Sequence, residues 1–246
     1  MEAWKPALGL PLEALRAKLG EPSFRAGLRD ELSRPTKFRL FNGEWDRIRV
    51  VETALAKNRH MEDKTFAELC AKTGQDPFDL WFDLAVEEDL KTVFAALVLN
   101  SDEEAVGRML THPHSLISLS DAGAHLTFFN DAGFGLHILG HWARSLKRMS
   151  MAEGIRRLTS QPASIFGIQD RGVLREGAYA DLLLFDPATV NRGPKERVFD
   201  LPGGAPRLTT PSIGIHGVWV NGQRVVDDKG LIANPPRAGK VLRKFG

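Results

Sequence analysis

Between Thr92 and Ser120 two short apolar runs flank a helix with its own start signal, and few architectures accommodate that order. TVFAALVL (92–99) is a near-continuous apolar stretch of strand length, and SLISLS (115–120) is a second. The intervening SDEEAVGRML opens with Ser101 and carries Glu104 three residues on, the spacing of a capping box. Strand, capped helix and strand within about 30 residues predict a βαβ unit with two parallel, neighbouring strands. In parallel α/β sheets the loops beyond the carboxyl ends of the strands carry the chemistry, because the scaffold holds them while leaving them open to ligand.

The second run ends in ISLSDAGAHLTFF (117–129), which places Asp121 at such a strand end. A carboxylate there is expected to be partly desolvated and fit to shuttle a proton or bind a metal, with Gly123 allowing the backbone close to a ligand. Ser-Asp-Ala-Gly is also ordinary turn chemistry, so Asp121 as a plain turn cap is the competing reading.

Elsewhere the map is coarser. Residues 1–44 hold the charged segments LEALRAKL and GLRDELSRP, with little patterning of a compact core. WDRIRVVE (45–52) alternates like a strand, and Gly74 followed by Asp76-Pro77 predicts a helix through about Glu88. Cys70, in FAELCAK, and Trp81, Phe82 and Trp142 read as packing residues. MSMAEGIRRLTSQPASIFGI predicts a helix presenting Ile155 and Leu158 on one face and closed by Pro162. ADLLLFD (180–186) predicts a strand buried on both faces. Asn221-Gly222 within VWVNGQRVV is a type I′ hairpin signal, so the last third is a small β module.

A chain of 246 residues that is 43% hydrophobic can bury one sizeable core, or a core and a small satellite. Its interspersed charges, net +2, indicate neither a nucleic-acid nor a membrane partner, and point instead to a small molecule. A single cysteine and no visible signal or spanning segment predict the cytoplasm.

TSQPASIFGIQDRGVLREGAYADLLLFDPATV together with IHGVWVNGQRVV resembles the C-terminal signature of the metal-dependent amidohydrolase superfamily, in the branch of the N-acyl-D-amino-acid deacylases. The resemblance covers roughly residues 75–246. It implies an α/β fold: the last strands and helices of a TIM barrel over residues 1–168, with 1–44 irregular or an insertion, and a C-terminal β-sandwich module over 169–246. It places the family's barrel-end aspartate on Asp121 as the proton shuttle of a hydrolase of linear or cyclic amide C–N bonds, with Gly123 and His125 as substrate-binding residues. His125 reads equally as a substrate contact or as support for the aspartate.

The resemblance also implies zinc, yet the expected His-x-His and the other ligands would lie upstream of this sequence. Within it, His112-Pro-His114 falls at the amino end of the expected barrel, where the family commonly carries a His-Pro pair, and reads as structural. His137 and His141, four apart on a helix, read as packed or capping residues rather than a zinc pair, for want of a third ligand. Where the deacylases carry a substrate-clamping arginine soon after the aspartate, this chain has Ala132 in NDAGFG, which favours a less acidic amide or a cyclic one. Two readings remain open: the C-terminal portion of a hydrolase, inactive alone, and a non-catalytic remnant or subunit needing a complementary chain or another copy. An incomplete barrel exposes strand edges, so the second reading predicts aggregation or obligate association.

Overall fold

The Asp76 side chain accepts a hydrogen bond from the Asp79 N–H at 3.1 Å and Pro77 takes the first helical position, so the helix Pro77–Glu87 opens where its cap dictates. The structure, a computed structural model, describes residues 1–34, 36, 39–97, 99–124, 126–127 and 132–243, with the side chain of Lys72 excluded. Its contacts divide the chain into two compact units, Met1–Glu103 and Glu104–Gly246. The boundary expected at 168/169 falls inside the second.

The first unit contains α1 (Leu12–Gly20), α2 (Pro22–Ser33), β1 (Ile48–Glu52), α3 (Phe66–Thr73), α4 (Pro77–Glu87) and β2 (Val93–Ala96). Both halves of a capping box join Thr65 and Glu68 at the start of α3. The amphipathic α4 serves two clusters. Phe78 and Phe82 pack with Ala7, Leu19, Phe24 and Leu28, while Leu80 and Leu84 pack with Ile48, Val50, Phe66 and Cys70. Cys70 is therefore a core residue, and burial pushes its thiol upward.

The opening 44 residues are more ordered than their composition suggested. Phe24 and Leu28 lie four apart on one face of α2, a spacing obscured in sequence by the charges between them. Those charges also pack: Arg29 sits 4.6 Å over the Phe78 ring and Arg25 5.3 Å over Phe82. Beside this core lies a carboxylate. Glu88, 2% exposed, accepts from the backbone N–H groups of Ala54 and Leu55 (2.9 and 3.2 Å), the Asn58 amide (2.9 Å) and the Thr92 hydroxyl (2.6 Å).

The expected βαβ unit does not form. β2 pairs antiparallel with β1, Ile48 opposite Ala96 and Val50 opposite Phe94, and residues 115–120 make no ladder. Leu97 and Leu99, expected in a buried strand, are exposed. Among the described residues every strand pairing is antiparallel.

The second unit begins with α5 (Glu103–Thr111), whose first residue closes the preceding unit, and where Glu104 pairs with Arg148. It continues through α6 (Phe134–His137), a π-helical stretch Ile138–Ser145, α7 (Met151–Leu158) and α8 (Ser160–Ile165). Trp142, Ile138, Ala143 and Met149 form its core, with Val106, Leu110, Ile117 and Leu158 against them. The single helix expected from Met149 and closed by Pro162 breaks at Thr159, and Ile155 faces solvent while Arg157 is buried at 3% exposure.

Then follow β3 (Leu182–Phe185), β4 (Asn191–Arg192), β5 (Glu196–Val198), β6 (Arg207–Thr209), β7 (Ser212–Ile213), β8 (Ile215–Val220), β9 (Gln223–Asp227) and β10 (Gly230–Leu231). They build a four-stranded sheet in the order β10-β9-β8-β3 and the ribbons β4-β7 and β5-β6. Asn221 and Gly222 both take positive φ, 50° and 79°, as a type I′ turn requires. β3 departs from expectation: it is an edge strand, and Leu183 and Leu184 are 46% and 54% exposed because nothing described covers them. No helix of the described residues is long and apolar enough to cross a membrane.

Candidate functional site

The segment carrying Asp121 is held from both ends. At its start, α5 ends at Thr111 and the chain turns through His112-Pro113-His114, where the Ser115 N–H donates to His112 O at 3.0 Å. Arg157 of α7 reaches this turn, donating to Thr111 O at 2.8 Å, His112 O at 3.3 Å and Ser115 O at 3.4 Å. The Gln161 amide adds a bond to Ser115 O at 3.2 Å. Ile117 then packs beside Trp142. Side chains thus satisfy the Ser115 carbonyl that a parallel ladder was expected to engage. At the far end, Leu126 O accepts the Leu208 N–H at 2.8 Å, and Thr127 O accepts from Arg197 at 3.0 Å.

Between these anchors stands the turn. The Ala124 N–H donates to Asp121 O at 3.0 Å, the Ser120 hydroxyl accepts the Ala122 N–H at 3.3 Å, and Gly123 has φ +90° with open space around its α-carbon. That φ favours glycine, and the turn chemistry read from Ser-Asp-Ala-Gly is present. The expected desolvation of Asp121 is not: its side chain is exposed, because 117–121 joins no sheet that would bury the strand end. His125 lies outside the described residues, as do Asn130 and Asp131, so Asp121 and Gly123 are the two predicted site residues placed together.

The other histidines keep structural company. The His114 N–H donates to His112 Nδ1 at 3.2 Å, and the His112 carbonyl serves Arg157. His137 and His141 stack with ring centroids 4.6 Å apart and planes within 7°. Side chains four apart share one helix face, which brings the two rings together at the junction of α6 and the π-helical stretch. Among the described residues no three His, Cys, Asp or Glu side chains gather as a metal would need. The described residues therefore do not assemble a zinc site by themselves.

The residue that sequence reasoning missed is Arg157. Its signal was there: Glu153 precedes it by four residues and binds it at 2.7 Å. Arg156 first, then Arg157, hold the Glu153 carboxyl down at about 2 from its ordinary 4.5.

The turn is thus anchored at both ends and exposed, as loops that carry binding or catalytic residues commonly are. The amidohydrolase family matches residues 38–226, and the chain belongs to that family. Its similarity runs to the D-aminoacylase branch. An N-acyl-D-aspartate deacylase of Alcaligenes xylosoxydans xylosoxydans is 29% identical over 178 residues, 69% of this chain and 33% of the relative. The D-aminoacylase of the same organism is 31% identical over 179 residues, 72% of this chain and 33% of its own length. A crystal structure of D-aminoacylase aligns at 25% identity with a TM-score of 0.43, covering 80% of this chain and 38% of that one. The chain spans about a third of the length of the curated relatives it matches.

Proposed function

We propose that this chain supplies the carboxyl-terminal portion of a metal-dependent hydrolase of linear or cyclic amide C–N bonds and is inactive alone. The observation that carries the reading is the family match over residues 38–226, a span that includes Asp121 on a turn anchored at both ends. Asp121 takes a proton from the attacking water as the C–O bond forms and returns it to the nitrogen as the C–N bond breaks. Gly123 lets the substrate approach the backbone, and His125 contacts it or supports the aspartate. In this reading elements from outside this chain pack over the Asp121 turn, and that enclosure desolvates Asp121. The metal's ligands then lie outside this chain. Relatives carry names of deacylases of N-acyl-D-aspartate and N-acyl-D-glutamate; Ala132, in place of a clamping arginine, favours a less acidic amide here. Buried, unpaired Cys70 suits a reducing, cytoplasmic setting.

In the completed assembly, Asp121→Ala is expected to lower turnover by about 10²–10⁴-fold with metal content nearly intact. Unchanged turnover removes the assignment. The second reading, a non-catalytic partner subunit, is favoured by the exposed Leu97, Leu99, Leu119, Leu183 and Leu184. An open reading frame continuing upstream into a His-x-His strand supports the first reading; a stop codon before Met1 supports the second.

A further inference from the structure

Asn-Gly occurs twice in the chain, at 42–43 and at 221–222, and the fold treats the two pairs oppositely. In such a pair the glycine nitrogen can attack the side-chain amide before it, because no side chain on the glycine shields it. At the second pair that nitrogen is occupied. Gly222, in the turn between β8 and β9, donates its N–H to Ala180 O at 2.9 Å. The Asn221 amide is held at its oxygen by Arg171, at 2.9 Å, and at its nitrogen by Ala238 O.

The first pair has no such restraint on its glycine. Among the described residues the Gly43 N–H makes no hydrogen bond, and Asn42 is exposed. The Asn42 amide is oriented: Arg39 Nε donates to its oxygen at 3.0 Å, and its Nδ2 donates to Arg39 O at 3.1 Å. A guanidinium on the carbonyl oxygen draws electrons from Cγ and meets the negative charge that attack places there. The pair also sits at a joint in the first unit. Trp45, whose N–H donates to Gly43 O at 2.9 Å, packs against both of that unit's core clusters, and its ring meets Phe41 edge-on at 4.9 Å.

We infer that Asn42-Gly43 is a self-modification site whose co-reactant is water. The Gly43 nitrogen gives its proton to solvent and bonds to Asn42 Cγ; the Cγ–Nδ2 bond breaks, and ammonia leaves with a proton from solvent, closing a succinimide. Water then opens the ring. Attack at Cγ breaks its bond to the Gly43 nitrogen and leaves aspartate; attack at the main-chain carbonyl carbon breaks the other and leaves isoaspartate. Isoaspartate routes the main chain through an extra methylene, which displaces Gly43 O from the Trp45 N–H.

The test is incubation of the full chain in heavy-oxygen water, folded and in parallel in concentrated guanidinium chloride, followed by proteolysis and mass measurement of the two Asn-Gly peptides. Unfolded, the two are expected to take up label at similar rates. On folding, Asn42 is expected to stay within about threefold of its unfolded rate while Asn221 slows by at least about tenfold, the order of the hydrogen bonds that must break first. Asn42→Gln, whose longer side chain closes the larger ring far less readily, is expected to take up no label at 42. Hydrogen exchange at the Trp45 amide reads the displaced bond: it is expected to be faster in aged than in fresh wild type, and unchanged by ageing in Asn42→Gln. The comparison of folded with unfolded wild type carries the test if Asn42→Gln does not fold. Slowing of Asn42 on folding by more than about threefold overturns the inference. So does folded Asn221 reacting as fast as Asn42, or Trp45 exchange that ageing of the wild type leaves unchanged.

Discussion

Arg157→Met is expected to cost the second unit about 1–3 kcal/mol, the range for stranding buried hydrogen-bonding groups, because the Glu153 carboxylate left behind is 31% exposed and keeps Arg156. The guanidinium is 3% exposed and satisfies the Glu153 carboxylate together with the carbonyls of Thr111, His112 and Ser115. Methionine fills much of the volume and satisfies none of them. Urea denaturation at neutral pH should show a lower midpoint with little change in slope. Arg156→Met is the internal control: its pair with Glu153 is exposed to solvent, and its loss should leave the midpoint nearly unchanged. The acid limb gives a second readout. Because the Glu153 pKa is depressed in the folded state, its contribution is fully present above 4.5 and is lost as pH falls toward about 2. In Arg157→Met that acid-dependent loss should shrink, since one of the two cations lowering Glu153 is gone. A midpoint within experimental error of the wild type would show that the α5–Ser115 turn does not depend on this side chain.

Glu88→Leu is expected to cost the first unit about 1–3 kcal/mol, because it strands the buried Asn58 amide and the part-buried donors of Ala54, Leu55 and Thr92, for which hydrocarbon provides no acceptor. Burial pushes this carboxyl upward, but the hydrogen bonds from Thr92, Ala54, Asn58 and Leu55 together hold it below its ordinary 4.5. Its stabilisation is therefore present at neutral pH and lost as acid titrates it below that value. Hydrogen exchange reads the effect locally: the amides of Ala54 and Leu55 should exchange much faster in the variant, ahead of those in β1 and α4. Glu88→Gln keeps the shape but turns an N–H₂ toward donors, so it should recover only part of the loss. Unchanged protection at Ala54 and Leu55 would contradict the assigned network.

Both side chains mark where sequence reading reached its limit. Signals confined to neighbouring residues were legible: Asp76-Pro77 opens α4, Gly74 closes α3 in the left-handed region, and Asn221-Gly222 makes the expected turn between β8 and β9. The C-terminal family signature was equally local, and it placed the chain correctly among the amidohydrolases. Pairing was not legible. TVFAALVL has the composition of a buried parallel strand, yet β1 is the neighbour β2 finds, and the antiparallel ribbon needs no crossover. ADLLLFD reads as a central strand because leucine content reports burial only when something lies across the face. The Asp121 turn was predicted in its backbone and missed in its surroundings. Gly123 and the Ala124–Asp121 hydrogen bond follow from four consecutive residues, whereas desolvation depends on walls contributed from far along a chain.

The open margin of the four-stranded sheet has a thermodynamic corollary. Whatever comes to lie against Leu183 and Leu184 binds the folded form and not the unfolded one, so it raises stability by mass action. Where the occupant is a second copy of the chain, the melting temperature rises with protein concentration. Because apolar association weakens on cooling, dilute cold solutions are where the lone polypeptide can be observed.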